Sequence, residues 1–203
     1  MTTTLNLRPA AERVAALLPG VDDRRLDDAT PCEKYAVADL LDHLMGLTEE
    51  FTRAAAKNNA PDPDQPASAP PQPSADHLSP AWRDELPVQL REVAEAWSDP
   101  AAWEGETTAG GVTWPAAAMG AVALNELVIH GWDLARATGQ PYECDGETAQ
   151  ACYQFVASFP TPDGDPDPDA IFGPPVDVSD DAPPLDRALG LSGRAPWWSP
   201  VNA

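Results

Sequence analysis

The sequence predicts an all-α fold, a four-helix bundle with a proline-rich connection between helices two and three and an irregular acidic tail. Three observations predict it. Apolar residues recur at helical spacing in four main segments. No convincing pair of strands interrupts them. One segment, from about Pro115 to Thr138, is almost entirely Ala, Val, Leu, Ile, Met and Trp, long enough to run through a bundle core.

The first helix is expected over Leu7–Leu18, with Leu7, Ala11, Val14, Leu17 and Leu18 on one face, and Pro19-Gly20 stops it. A polar connection carrying Thr30-Pro31-Cys32 follows. The second helix runs from about Val37 to Lys57, with Val37, Leu40, Leu41, Leu44, Leu47 and Phe51 as its apolar stripe. Residues 58–76 hold six prolines and hardly any large apolar side chain. Such a stretch buries too little to offset its ordering entropy and is expected to be mobile, as an insertion in a surface loop in preference to a lid. The third helix starts near Pro80, with Ser79 suited to its N-cap, and ends at Trp97. Trp103 to Trp114 reads as a loop or short hairpin around Gly110-Gly111. Gly139 closes the long fourth segment, and a further helix is expected over Gly146–Phe159. The tail has ten prolines from Pro160 onward and one short helical stretch, Pro184–Leu191. The bundle is thus read as residues 1–160. The tail, 161–203, is expected to pack on it through Phe172, Trp197 and Trp198.

Charge narrows the function classes. Thirty-three acidic against twelve basic residues give a formal net charge of −21. That excludes sequence-independent nucleic-acid binding and anionic membrane surfaces, both of which need Lys and Arg. No signal-like apolar stretch opens the chain and no apolar run has spanning length, so a cytoplasmic protein is expected. Cys32, Cys144 and Cys152 are odd in number and lack CxxC spacing, so neither a disulfide framework nor a cysteine zinc site is expected.

Two side chains break the apolar pattern of the fourth segment, Glu126 and His130. At i, i+4 their heads share one helix face. A carboxylate there is costly unless paired or bound to a metal. Of the other histidines, His77 adjoins the proline-rich stretch, and His43 flanks the apolar stripe of helix two. Antiparallel packing of the two helices would bring His43 to Glu126 and His130. Two histidines and one carboxylate make a sensible ligand set for a divalent metal with open positions. A hydrogen-bonded Glu126–His130 pair without metal is the plain alternative. Asp133, three residues after His130, is placed to hold its second ring nitrogen. Arg136 is expected to pair with Asp133 rather than reach an anionic ligand. Asp39, Asp42 and Asp133 are loose candidates for a general base beside a metal.

The combination of Thr30-Pro31-Cys32, Val37-x-Asp39-Leu40-Leu41-x-His43-Leu44 and Glu126-Leu127-x-x-His130-Gly131-Trp132-Asp133 through Gly139 resembles the actinobacterial metal-binding proteins of the DinB-like superfamily. More narrowly, it is similar to the group related to the N-terminal domain of mycothiol-dependent maleylpyruvate isomerase. Phe172-Gly173-Pro174-Pro175-Val176 and Pro183-Pro184-Leu185-Asp186-Arg187 carry the narrower likeness. The resemblance implies a DinB-like bundle and a divalent metal, zinc first and nickel second, on His43, Glu126 and His130. It also implies a thiol cosubstrate such as mycothiol and an electrophilic small-molecule substrate, in a transferase or isomerase reaction. Two features depart from the pattern. Tyr35 stands where relatives often have Trp, and the tail is short for a separate substrate-binding domain. A non-catalytic metal-binding stress or regulatory protein, acting through protein partners, is the second expectation. Pairing of two copies through exposed helix faces, a homodimer, stays open.

Overall fold

The computed structural model describes residues 4–59, 72–159 and 172–200. The centre of the proline-rich connection, expected to be mobile, and residues 160–171 of the tail lie outside the described residues. Four helices make the bundle: α1 (Arg8–Leu17), α2 (Val37–Ala55), α3 (Trp82–Ala96) and α4 (Ala116–Thr138). α1 packs on α3 and α4, and α2 packs on the same two, so the ring order is α1, α3, α2, α4. Cross-contacts give the directions. Arg8 at the start of α1 reaches Glu95 at the end of α3, and Arg83 at the start of α3 reaches the carbonyls of Leu18 and Val21. These two helices are antiparallel. Thr48 of α2 meets Gln89 of α3, and Trp97 donates to the Phe51 carbonyl, so α2 and α3 run parallel. Thr107, just ahead of α4, donates to the carbonyl of Ala54 at the end of α2. The start of α4 therefore lies by the end of α2, and the two are antiparallel. The topology is up, down, down, up, with the proline-rich connection as the crossover.

The apolar stripes read from the sequence form the core. Leu7, Val14, Leu40, Leu41, Leu44, Leu86, Leu90, Leu127 and Leu134 are all essentially fully buried. Asp39 helps to start α2. Its carboxylate accepts from the Ala36 N–H, satisfying one of the free donors at the helix entry, and from the Ala75 N–H. Asp42 accepts from the Ser74 N–H, so the returning chain is tied to the first turns of α2.

The stretch read as loop or hairpin is a hairpin, β1 (Glu106–Ala109) and β2 (Val112–Pro115), paired with Ala109 opposite Val112. Gly110 and Gly111 form its two-residue turn at φ of 57° and 77°. Positive φ at both central positions is the type I′ geometry that matches strand twist. Two more helices, α5 (Gly146–Ala157) and α6 (Pro184–Leu191), pack on each other, and α5 also packs on α4. Leu189 of α6, with Trp198 beyond it, rests on Ile129 and Trp132 of α4. The tail thus packs on the bundle through Trp198, whereas Trp197 points outward, 66% exposed. No helix among the described residues is long and apolar enough to cross a membrane.

Candidate metal centre

The antiparallel pairing of α2 and α4 brings His43 to Glu126 and His130. Glu126 Oε2 lies 3.3 Å from His43 Nε2 and 3.2 Å from His130 Nε2. One donor atom from each residue lies within 4.8 Å of the other two, the one such group among the described residues. The imidazoles stand edge to face, 86° apart. His43 and Glu126 keep about a quarter of their side-chain surface open, while His130 is buried. The trio thus sits at the edge of the core with one side accessible.

The donor set fits a divalent cation, and the two separations from Glu126 have the spacing of a shared coordination sphere. Metal bonds of about 2.0–2.1 Å at angles of roughly 100–110° put neighbouring ligand atoms about 3.2–3.3 Å apart. The ring nitrogens also have the right roles. His130 Nδ1 is 2.9 Å from Asp133 Oδ2, and with the proton on Nδ1 the Nε2 lone pair faces the trio.

Without a metal, the same atoms form a charged hydrogen-bonded cluster. Burial alone would lower the His130 pKa, but hydrogen bonds to Asp133 and Glu126 outweigh it and push it up to about 9. Burial likewise opposes ionisation of Glu126, yet hydrogen bonds from His130 and His43 hold its carboxyl far below the usual carboxylate range.

Other expected residues are placed differently. Asp133 is fully buried and does hold His130, but its other partner is not Arg136. The Arg136 guanidinium donates to the Trp198 carbonyl and lies 5.8 Å from the Trp132 ring centroid. At i, i+3 it turns along the helix surface to the tail, where a carbonyl fills the role expected of Asp133. Asp39 and Asp42 are engaged with backbone N–H groups at the start of α2 and do not join the trio. His77 is exposed.

Two contributors escaped the sequence reading. Arg194 pairs with Asp133, Nη2 to Oδ2 at 3.1 Å. Its signal was faint, an arginine just past Gly193 at the end of a short apolar helix. Tyr35, noted only as a departure from a pattern, lies with its ring centroid 5.1 Å from that of His43 and 6.1 Å from that of His130. Thr30 fixes it there. The buried Thr30 hydroxyl donates to the Tyr35 carbonyl at 2.7 Å and accepts from the Cys32 N–H at 3.1 Å. Cys32 is half-buried. With Lys34, Tyr35 and Trp198 it lines a surface cavity of about 480 Å³. Burial raises the Cys32 thiol pKa.

The sequence and the fold have known relatives. Two uncharacterized proteins of Mycobacterium tuberculosis, Rv0738 and MT0763, are each 29% identical over 143 residues, 69% of this chain and 69% of theirs. Crystal structures of the mycothiol-dependent maleylpyruvate isomerase and of a point mutant share the fold, at TM-scores of 0.55 and 0.56 and 18% identity. They are matched over 75% of this chain, which spans 65% of their length. The family model for the mycothiol maleylpyruvate isomerase N-terminal domain matches residues 7–135. That range runs from the first bundle helix past His130 and Asp133, and the chain belongs to this family.

Proposed function

We propose that the protein holds one divalent metal ion on His43, Glu126 and His130 and uses a low-molecular-weight thiol, such as mycothiol, in a transferase or isomerase reaction on an electrophilic small molecule. The observation that carries the reading is the spacing of the three donor atoms, with Asp133 behind His130. Zinc is the first choice of metal and nickel the second, as the family resemblance implies; two imidazoles and a carboxylate accept iron and manganese as well. Membership of the family supports the thiol. A bound cation would supply Lewis-acid chemistry, lowering the pKa of a thiol or water at its open positions. The chain's own residues supply the rest. Asp133 sets the ring orientation of His130, Glu126 supplies the anionic ligand, and the Tyr35 ring shields both imidazoles on one side. A surface cavity lined by Cys32, Lys34, Tyr35 and Trp198 adjoins that ring.

Elemental analysis and activity together test this. Protein purified without chelators is expected to carry close to one equivalent of metal, and His43→Ala and His130→Ala to carry almost none. Adding mycothiol to the cobalt- or nickel-substituted protein is expected to shift its absorption bands, with thiol-dependent turnover of electrophilic substrates. Undiminished metal in both variants removes the site. An unchanged spectrum and no thiol-dependent turnover remove the chemistry. The exposed Trp197 favours a second reading, a non-catalytic metal-binding protein that docks a partner. A stoichiometric partner lost in Trp197→Ala but kept in His43→Ala would decide for it.

A further inference from the structure

The fully buried carboxylate of Asp133 has two neighbours of opposite origin. Oδ2 takes His130 Nδ1 at 2.9 Å, from its own helix, and Arg194 Nη2 at 3.1 Å, from 61 residues further along the chain. Arg194 Nε also approaches Oδ1 at 3.4 Å, so the guanidinium spans both oxygens. Its third nitrogen donates to the Ser192 carbonyl at 2.8 Å, and the side chain is only 12% exposed. A planar fork of this kind fixes the tilt of the carboxylate as well as its charge.

The backbone aims the fork. α6 ends with Gly193 at φ 83°. The Arg194 N–H donates to the Leu189 carbonyl and the Gly193 N–H to that of Gly190, the paired bonds of a Schellman ending. A Cβ at Gly193 would come within 3.1 Å of the Pro174 carbonyl oxygen. Leu189 anchors the helix on Ile129 and Trp132, and the Trp198 carbonyl is held by Arg136. Arg194 is therefore delivered to α4 by a segment fastened on either side of it. All of it lies outside residues 7–135, the part that the family model matches.

We propose that Arg194 is a positioning residue of the metal centre: by clamping Asp133 it fixes the carboxylate that orients His130, and so turns Nε2 toward the cation. The inference rests on the reading of His43, Glu126 and His130 as metal ligands. It makes the C-terminal segment a working part of a site whose ligands all come from the bundle.

The test is a double-mutant cycle on cobalt affinity, read from ligand-field absorption of the full chain. Arg194→Ala is expected to weaken cobalt binding by about 10- to 100-fold, the range typical of groups that orient a ligand. Arg194→Lys, which keeps the charge without the fork, is expected to recover part of the loss. Asp133→Asn should weaken binding by itself, and adding Arg194→Ala to it should weaken binding no further. In the zinc-loaded wild type the His130 Nδ1–H should give a slowly exchanging, nitrogen-correlated proton signal, which Arg194→Ala broadens or loses. Wild-type affinity in Arg194→Ala, or an equal loss in the Asp133→Asn background, overturns the proposal while leaving the metal reading intact. Wild-type protein that binds no cobalt overturns both. Should Arg194→Ala fail to fold, the double variant compared with Asp133→Asn still decides, because it removes both buried charges together.

Discussion

His130 has two ring nitrogens with separate tasks, and its titration exposes the competition between them. Its pKa of about 9 in the metal-free protein lies above the value near 6.5 of an unfolded chain. The protonated ring therefore stabilises the metal-free fold fully below about pH 6.5, and that contribution fades as pH rises through about 9. A cation needs the Nε2 lone pair and must displace that proton. Apparent zinc or cobalt affinity is expected to climb about tenfold per pH unit from pH 6.5 and to level off near pH 9. A competition titration across that range checks it, and a flat profile would show that binding does not go through His130. The meeting of His43, Glu126 and His130 was legible because an acid and a base at i, i+4 interrupt an otherwise oily run, and a second histidine flanks the stripe of another helix. Arg194 was not legible, since its partner is 61 residues away and helical periodicity does not say where a proline-rich tail returns to the bundle.

At the scale of elements, the apolar stripes announced the helices, because the 3.6-residue period survives wherever one face is buried. The directions of the helices and the use of Asp39 and Asp42 as ties to the returning chain did not follow from that period. Both depend on contacts between distant segments. The Thr30–Tyr35 loop shows how a short motif acts through its backbone. One threonine hydroxyl satisfies a carbonyl and an N–H inside the loop and so holds an aromatic ring against two imidazoles. Thr30→Val keeps the shape and removes the hydroxyl, leaving both backbone groups without that partner. The expected cost is about 1–3 kcal/mol. For a chain of this size that lowers the melting temperature by roughly 5 °C. Thermal unfolding followed by near-ultraviolet circular dichroism would register both the lower midpoint and the loosened tyrosine. An unchanged melt would mean that the loop is held by something other than Thr30.

On the scale of the molecule, the proposed cation would tie the start of α2 to the later turns of α4 and so link the two halves of the bundle. Metal at about a thousand times its dissociation constant adds about 4 kcal/mol to the folded state. Scanning calorimetry is expected to show a melting temperature raised by about 10 °C. His43→Ala should abolish most of that rise, and an equal rise in the variant would place the cation elsewhere, for which a protein of net charge −21 offers many exposed carboxylates. The crossover has a consequence of its own. α2 has 19 residues, so it extends about 28 Å. A parallel neighbour obliges the chain to travel back from Ala55 to the level of Asp39, about 24 Å, before it reaches Ala75. At about 3.3–3.6 Å per residue, the trip takes at least about seven residues. The proline-rich connection can therefore be lengthened at small entropic cost, but it has a length floor. Below it, either the side-by-side run of α2 and α3 or the moorings at Asp39 and Asp42 must give way.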